Sequence, residues 1–337
     1  MSCRSTDVRP NATPGNAVES AAACAGLPLV TVVVPTYRRE LSVGRAVQSV
    51  LEQSFRDFEL IVVDDASDDG TLARLARIND PRLSLFTLSE NRGPAAARNV
   101  GIRNARGRYV AFLDSDDRWL PDKLEKQLAF MEARRHDVRL SCTGYRYVNP
   151  ATGDVAERLG KPLLKYDDFL NGCRCAPGST LVAEISLFHE TGLLNEGLRR
   201  LEDWEWLLRA TARSHVGVVQ EALSEVHMRL TGRGLYQLVK DAGGKILQVH
   251  RGTSAGWSRL RATIDNELAA VSYLDQRYIR AIRHLASASW QHPMDGLHLA
   301  RRALARARRD ISTRLRADVS AGETALGAMV PAGKGST

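Results

Sequence analysis

No stretch of this 337-residue chain is apolar for long enough to span a bilayer, which takes about 20 consecutive, mostly apolar residues. The first 26 residues carry Asp7, Arg9, Pro10, Pro14 and Glu19 and lack the apolar centre of a secretion signal. Their composition predicts a disordered leader and a chain that is neither exported by that route nor membrane-spanning. A disulfide framework is lacking too. Cys3, Cys24, Cys142, Cys173 and Cys175 are odd in number, and no second Cys or His pair follows Cys173-x-Cys175 to complete a zinc site. They read as reduced cytosolic thiols. Neither G-x-G-x-x-G nor G-x-x-x-x-G-K-[ST] occurs, which argues against NAD or ATP held at a helix N-terminus. An acidic excess is also missing. The formal charge of +8 favours an anionic partner, whether nucleotide, nucleic acid or lipid, without choosing among them.

What is present is a series of buried-strand patterns that end in polar groups. Leu29 to Val34 is a continuous β-branched run stopped by Pro35. Phe58 to Val63 ends at Asp64-Asp65, Leu83 to Leu88 follows, and Arg108 to Leu113 ends at Asp114-Ser115-Asp116-Asp117. Helical stripes lie between them: Val43, Ala46, Val47, Val50 and Leu51, then Leu72 to Ile78, then Ala95 to Asn104. Strand and helix alternating in this way predict a right-handed doubly wound sheet. Ligands of such sheets bind beyond the carboxyl ends of the strands, where these acids fall. A site without a phosphate loop needs another way to neutralise a diphosphate. Asp114-x-Asp116 suits a hard cation, which takes one or two carboxylates plus phosphate oxygens. The alternative is a solvated turn with a helix cap.

The order of four motifs resembles the nucleotide-binding half of family 2 glycosyltransferases. They are Val34-Pro35-Thr36-Tyr37-Arg38-Arg39, Val62 to Thr71 with its Asp64-Asp65, Asn91 to Gly101, and Phe112 to Asp117. Arg38 departs from the family, which usually has Asn there. The resemblance implies an α/β, GT-A (Rossmann-like) fold, with a mixed, mainly parallel sheet and flanking helices. It implies transfer of a sugar from a nucleotide-diphosphate donor to an acceptor hydroxyl with inversion. In that reading Pro35, Thr36, Tyr37 and Asp65 hold base and ribose, Arg98, Asp114 and Ser115 approach the nucleotide, and Asp116 ligates Mg²⁺ or Mn²⁺. Asp203, in Leu194 to Arg209, is the general base. Glu202 beside it is a candidate acceptor or diphosphate contact; acids at a helix start also serve as a cap, but the match of the whole phrase favours the functional reading.

Four further positions stay open between function and structure. Gly178-Ser179 reads as a sugar or phosphate contact or as an ordinary turn into a strand. Trp204 reads as a wall of the acceptor site or as core. His227, at the end of predicted closing strands Val216 to Val219 and Leu223 to Met228, is a candidate diphosphate contact.

Leu140 to Val148 predicts a strand and Tyr166 to Leu170 a short helix. From residue 232 the composition predicts a C-terminal helical extension: Leu235 to His250, Arg259 to Leu274, Arg277 to Trp290, and a further helix after Pro293. The domains expected are a leader at 1–26, a glycosyltransferase domain at 27–231, helices at 232–319 and a flexible tail at 320–337. Ala300, Leu304, Ala307, Ile311 and Leu315 form an apolar stripe among arginines, fit for an anionic membrane surface or for a solvated helix. No nucleic-acid module is recognisable. The sequence therefore predicts a cytoplasmic enzyme, peripheral at most on the inner membrane face, acting on a saccharide or lipid-linked acceptor. Two other readings compete: a nucleotidyltransferase, or an inactive sugar-nucleotide-binding scaffold docked to the membrane.

Overall fold

The computed structural model describes residues 26–148, 153–173, 175–227, 234–251 and 254–291. They fall into two units. The first comprises residues 26–147, 156–173, 175–227 and 244–246, and the second 148, 153–155, 234–243, 247–251 and 254–291.

The first unit begins with strand β1 (Val30–Thr36), helix α1 (Val43–Leu51), β2 (Phe58–Asp64), α2 (Thr71–Leu75), β3 (Leu83–Thr87), α3 (Pro94–Arg103) and β4 (Tyr109–Phe112). These four strands run parallel in the order β3-β2-β1-β4. Helices cover both faces, so β1, β2 and β4 are buried throughout and read as unbroken apolar runs. Val43, Ala46, Val47 and Val50 of α1 are fully buried in the main core with Val32, Val34, Leu60 and Leu113. On the other face, Gly101 of α3 comes so close to Val33 that a Cβ there would collide with it.

Pro35 does not end β1, contrary to the sequence expectation. It pairs in register with Val63. Val33 and Leu29 offer their carbonyls to β4 and Thr36 offers its carbonyl toward β2, so the donor that Pro35 lacks faces the β4 side. The β4 ladder has already ended there, at Val33↔Phe112, and the missing N–H costs no bond.

The sheet then turns mixed. After β5 (Arg118–Trp119), α4 (Lys123–Ala133), β6 (Leu140–Val148), β7 (Val155–Arg158), β8 (Leu163–Leu164), α5 (Tyr166–Leu170) and α6 (Pro177–Thr180) comes β9 (Val182–Glu184). It inserts antiparallel between β4 and β6. Next are α7 (Ile185–Thr191), α8 (Glu202–Thr211) and β10 (Val216–Val226), which runs parallel to β6. The full order is β3-β2-β1-β4-β9-β6-β10-β5, with β7 beside β6 and β8 beside β10. The two closing strands expected from sequence are one strand, its register broken by irregularities between Val219 and Ala222 and between Ala222 and Ser224. The expected turn at Ala176 to Leu181 is the short helix α6.

The chain continues through α9 (Leu235–Val249), α10 (Ser254–Leu274) and α11 (Tyr278–Gln291). Within the second unit α10 and α11 pack as a hairpin. Asp265 of α10 accepts from Ser287 Oγ at 2.7 Å and pairs with His284 Nδ1 at 2.9 Å, and His284 Nε2 lies 3.0 Å from Tyr236 Oη. The α10 helix begins five residues before the sequence expectation. Among the described residues no helix is long and apolar enough to cross a membrane. The leader at residues 1–25, Met228, and the basic stripe and tail after residue 291 lie outside the described residues.

Candidate active site

The acids of the 114–117 loop emerge where β4 ends. Leu113 N–H still donates to Val33 O at 3.2 Å, and Asp117 N–H closes a turn onto Asp114 O at 3.0 Å. The three carboxylates then part. Asp114 is the most open, with its side chain 39% exposed, Asp116 follows at 27%, and Asp117 is buried.

Asp117 holds the loop from beneath. Ser179 Oγ donates to its Oδ2, and His227 N–H donates to its Oδ1 at 2.8 Å. Burial pushes the Asp117 carboxyl up to about 6, against the pull of His227, and Asp117 in turn raises the His227 imidazole. Ser179 is a hub. Its hydroxyl accepts from Asp114 N–H at 3.1 Å, and its carbonyl accepts from Trp119 Nε1 at 2.7 Å and Ser224 Oγ at 3.0 Å. Beside it, Gly178 lies against Asp114 so closely that any Cβ would strike the carboxylate.

The second acidic element is the start of α8. Leu201, at its N-cap, is held left-handed at φ 63°, an uncommon conformation for a branched residue that marks the entry to this helix as constrained. Arg98 of α3 bridges the two acidic stretches. Its Nη1 donates to Glu202 Oε1 and its Nη2 to Asp114 Oδ1, both at 2.6 Å. Burial works against its charge, but Asp114, Glu202 and Asp203 together hold the guanidinium protonated. Asp203 is half-buried. Burial, with Glu202 next to it, pushes its carboxyl up to about 6, while Arg98 pulls the other way. The carboxyls of Asp114, Glu202 and Asp203 thus lie around one buried cation.

The nucleotide side is formed by the end of β1. Thr36 is buried, and its Oγ1 has no hydrogen-bond partner among the described residues. Tyr37 is 36% exposed, with the Arg38 guanidinium over its ring at 5.3 Å. Arg38 is left-handed (φ 50°), a conformation Asn adopts more readily, and its guanidinium clamps both oxygens of Asp68 at 2.6 and 2.5 Å. Arg39 reaches Asp116 at 3.2 Å, a contact that the sequence offered no means to foresee.

Among the positions expected to meet ligand, Pro35, Thr36, Arg98, Ser115, Gly178, Ser179, Glu202 and Trp204 are buried. Arg98 is bonded to Glu202 and Asp114, while its Nε has no partner among the described residues. Ser179 is the hub just described. Trp204 is core, donating from Nε1 to Phe169 O at 2.8 Å, and Trp206 stacks on Phe188 at 4.2 Å. Asp65 is buried too, both its oxygens accepting backbone N–H groups, from Arg92 and Gly93, at 2.7 Å. It organises the turn into α3.

Among the described residues no group of three or more His, Cys, Asp or Glu is placed to hold a metal ion. Asp114 and Asp116 do offer a set of hard oxygen donors. Burial, then Asp114, pushes the Asp116 carboxyl above its usual range, while Arg39 and His227 pull it down. The glycine at 178 also keeps the Asp114 carboxylate clear on one side. Such a pair fits Mg²⁺ or Mn²⁺ that completes its shell with water and phosphate oxygens.

Residues 31–182 match the family model described as glycosyl transferase family 2. The chain is 44% identical over 146 residues to the putative teichuronic acid biosynthesis glycosyltransferase TuaG of Bacillus subtilis, covering 42% of this chain and 57% of that one. It is 33% identical over 145 residues to the UDP-Glc:alpha-D-GlcNAc-diphosphoundecaprenol beta-1,3-glucosyltransferase WfgD of Escherichia coli, covering 43% and 56%. The matches thus span about half the length of these curated relatives. Among solved structures, S. aureus TarS 1–349 in complex with UDP shares the fold, at TM-score 0.59 and 21% identity over 88% of this chain and 91% of that one.

Proposed function

The chain carries a family 2 glycosyltransferase domain on a GT-A fold, and from that premise we propose that it transfers a sugar from a nucleoside-diphosphate donor to an acceptor hydroxyl by metal-assisted inverting displacement. The observation that carries the reading is the meeting of Asp114-x-Asp116 and the Asp203 end of α8 across the single guanidinium of Arg98.

The Tyr37 ring offers a stacking face for the base, and the unpartnered Thr36 hydroxyl a hydrogen bond to base or ribose. Asp114 and Asp116 would hold Mg²⁺ or Mn²⁺ against the diphosphate. When bound, such an ion would supply Lewis-acid neutralisation of the leaving nucleoside diphosphate. Arg39, now on Asp116, is free to turn to a phosphate oxygen once that carboxylate is otherwise engaged. Asp203 takes the proton of the attacking hydroxyl. Glu202 is tied to Arg98, which leaves Asp203 as the carboxylate available for this work. A carboxyl raised to about 6 is ionised at neutral pH and still basic enough to accept a proton. One base and no second placed nucleophile favour a single displacement, hence inversion.

The names of the relatives support a UDP-sugar donor, a lipid-linked saccharide acceptor and a role in cell-surface polysaccharide assembly. The nucleotidyltransferase alternative loses its ground to the family match. The test is calorimetric titration with UDP, GDP, dTDP and CDP, in Mn²⁺ and in EDTA, followed by transfer assays with the sugars of whichever nucleotide binds. Metal-dependent binding of one nucleotide is expected. No binding to any by the folded protein would return the scaffold reading.

A further inference from the structure

The inner face of α11 is fully used within its hairpin. Ala281 and Ala288 are buried, and His284, Ser287 and Gln291 all bond to Asp265 of α10. Among the described residues the outer face is not used. Ile279, Ile282, Arg283, Ala286 and Trp290 follow helical spacing on a single stripe, and all five are exposed. Ile279 is 73% exposed, Ile282 64% and Trp290 88%, with Tyr278 beside them at 51%. Single exposed apolar residues need no explanation, but a row of them on one helix face does.

Arg283 lies in the row and Arg280 beside it, both exposed, and α11 itself contains no acid; exposed Asp275 stands in the turn before the helix. A two-fold contact with a second copy would set Arg283 against itself in an apolar seam. The following stretch of this chain would bring more of the same charge, with seven arginines and one aspartate between residues 301 and 316. Aliphatic side chains and a tryptophan on one helix face, with Arg280 and Arg283 among them and no acid on the helix, suit the interface of an anionic bilayer. There the apolar row enters the acyl boundary and the guanidinium groups meet lipid phosphates.

We propose that the outer face of α11, centred on Ile279, Ile282 and Trp290, docks this protein on an anionic membrane surface. The docking stands apart from sugar transfer and does not rest on the donor-site reading.

The test is co-sedimentation of the full chain with phosphatidylcholine vesicles and with vesicles of three parts phosphatidylcholine to one part phosphatidylglycerol. Binding to the anionic vesicles alone is expected, weakening as salt rises. The triple variant Ile279→Ser, Ile282→Ser, Trp290→Ser should lower the bound fraction at least about fivefold with an unchanged thermal midpoint, since these side chains bury little. Arg280→Gln with Arg283→Gln should remove the preference for anionic lipid. Three results overturn the proposal: no binding to either vesicle, binding that the α11 variants leave unchanged, or a dimer in light scattering that the triple variant dissolves. The first concerns lipid alone, so nucleotide titration of the same preparation tells its failure apart from failure of the donor site.

Discussion

Asp203 answers to two opposed requirements. Its carboxyl is raised to about 6 by burial, so the folded chain binds that proton more tightly than the unfolded one. Stability from this group therefore falls as pH rises from about 4 through about 6, and at pH 8 the ionised group costs on the order of 1–2 kcal/mol. Asp203→Asn should melt higher than the wild type at pH 8 and equal it near pH 4. The same variant should lose about 10²-fold or more in transfer while keeping metal-dependent nucleotide binding. Retained turnover would remove Asp203 from the role of base. In the wild type, initial rates should fall below about pH 6 as the base takes up its proton.

Lys123 makes the contrasting case. It is fully buried, its Nζ lies 3.8 Å from the centre of the Trp119 ring, and that amine has no hydrogen-bond partner. Burial drives its pKa well below the usual lysine range, so its cost is greatest at low pH and fades as pH rises toward about 10. Lys123→Met should stabilise the fold by about 1–3 kcal/mol at pH 7, read from urea midpoints, with a smaller gain at pH 10. Nothing in the sequence marks this lysine. Asp114, Asp116 and Asp203 were legible because each stands at a strand end or a helix start with its motif around it. The roles of Arg98 and Ser179 were not, because each is defined by partners far along the chain: Arg98 by Glu202, 104 residues on, and Ser179 by Asp117, 62 residues back.

Among the elements, α6 is short but tightly placed. It brings Gly178 against Asp114 and Ser179 under Asp117. Gly178→Ala should displace the Asp114 carboxylate and weaken Mn²⁺-dependent nucleotide binding at least about tenfold, measured by calorimetry, with a smaller change in stability. Ser179→Ala should cost about 1–3 kcal/mol in a thermal or denaturant melt, since the buried Asp117 carboxylate loses a donor. The parallel strands could be read from the sequence because burial on both faces imposes unbroken apolar runs. β10 could not be read as one strand, because the residues around its irregularities, Gln220 and Glu221, are exposed and interrupt the pattern. The insertion of β9 between β4 and β6 was equally hidden. Three residues carry no periodicity, and their place is fixed by pairing on both sides.

At the scale of the molecule, half the sheet is local and half is not. The strands β1 to β4 come from one run of sequence, and their order followed from the alternation of strand and helix. The clamp beneath the acidic loop comes from later in the chain: Ser179 lies 65 residues beyond Asp114, and His227 lies 110 residues beyond Asp117. Synthesis proceeds from the N-terminus, and domains fold as their parts emerge. A nascent chain that has cleared β4 has its apolar strands ready to pair and Arg39 and Arg98 at hand for Asp116 and Asp114, yet Asp117 and the Asp114 N–H lack their partners until α6 and the end of β10 leave the ribosome. On the proposed function, ribosome-bound chains halted near residue 150 should therefore bind a fluorescent nucleoside diphosphate less well than the released protein does in Mn²⁺. On the proposed function, the long reach of these two hydrogen bonds would act as a clock, completing the support of the acidic loop only after residue 227 has been made.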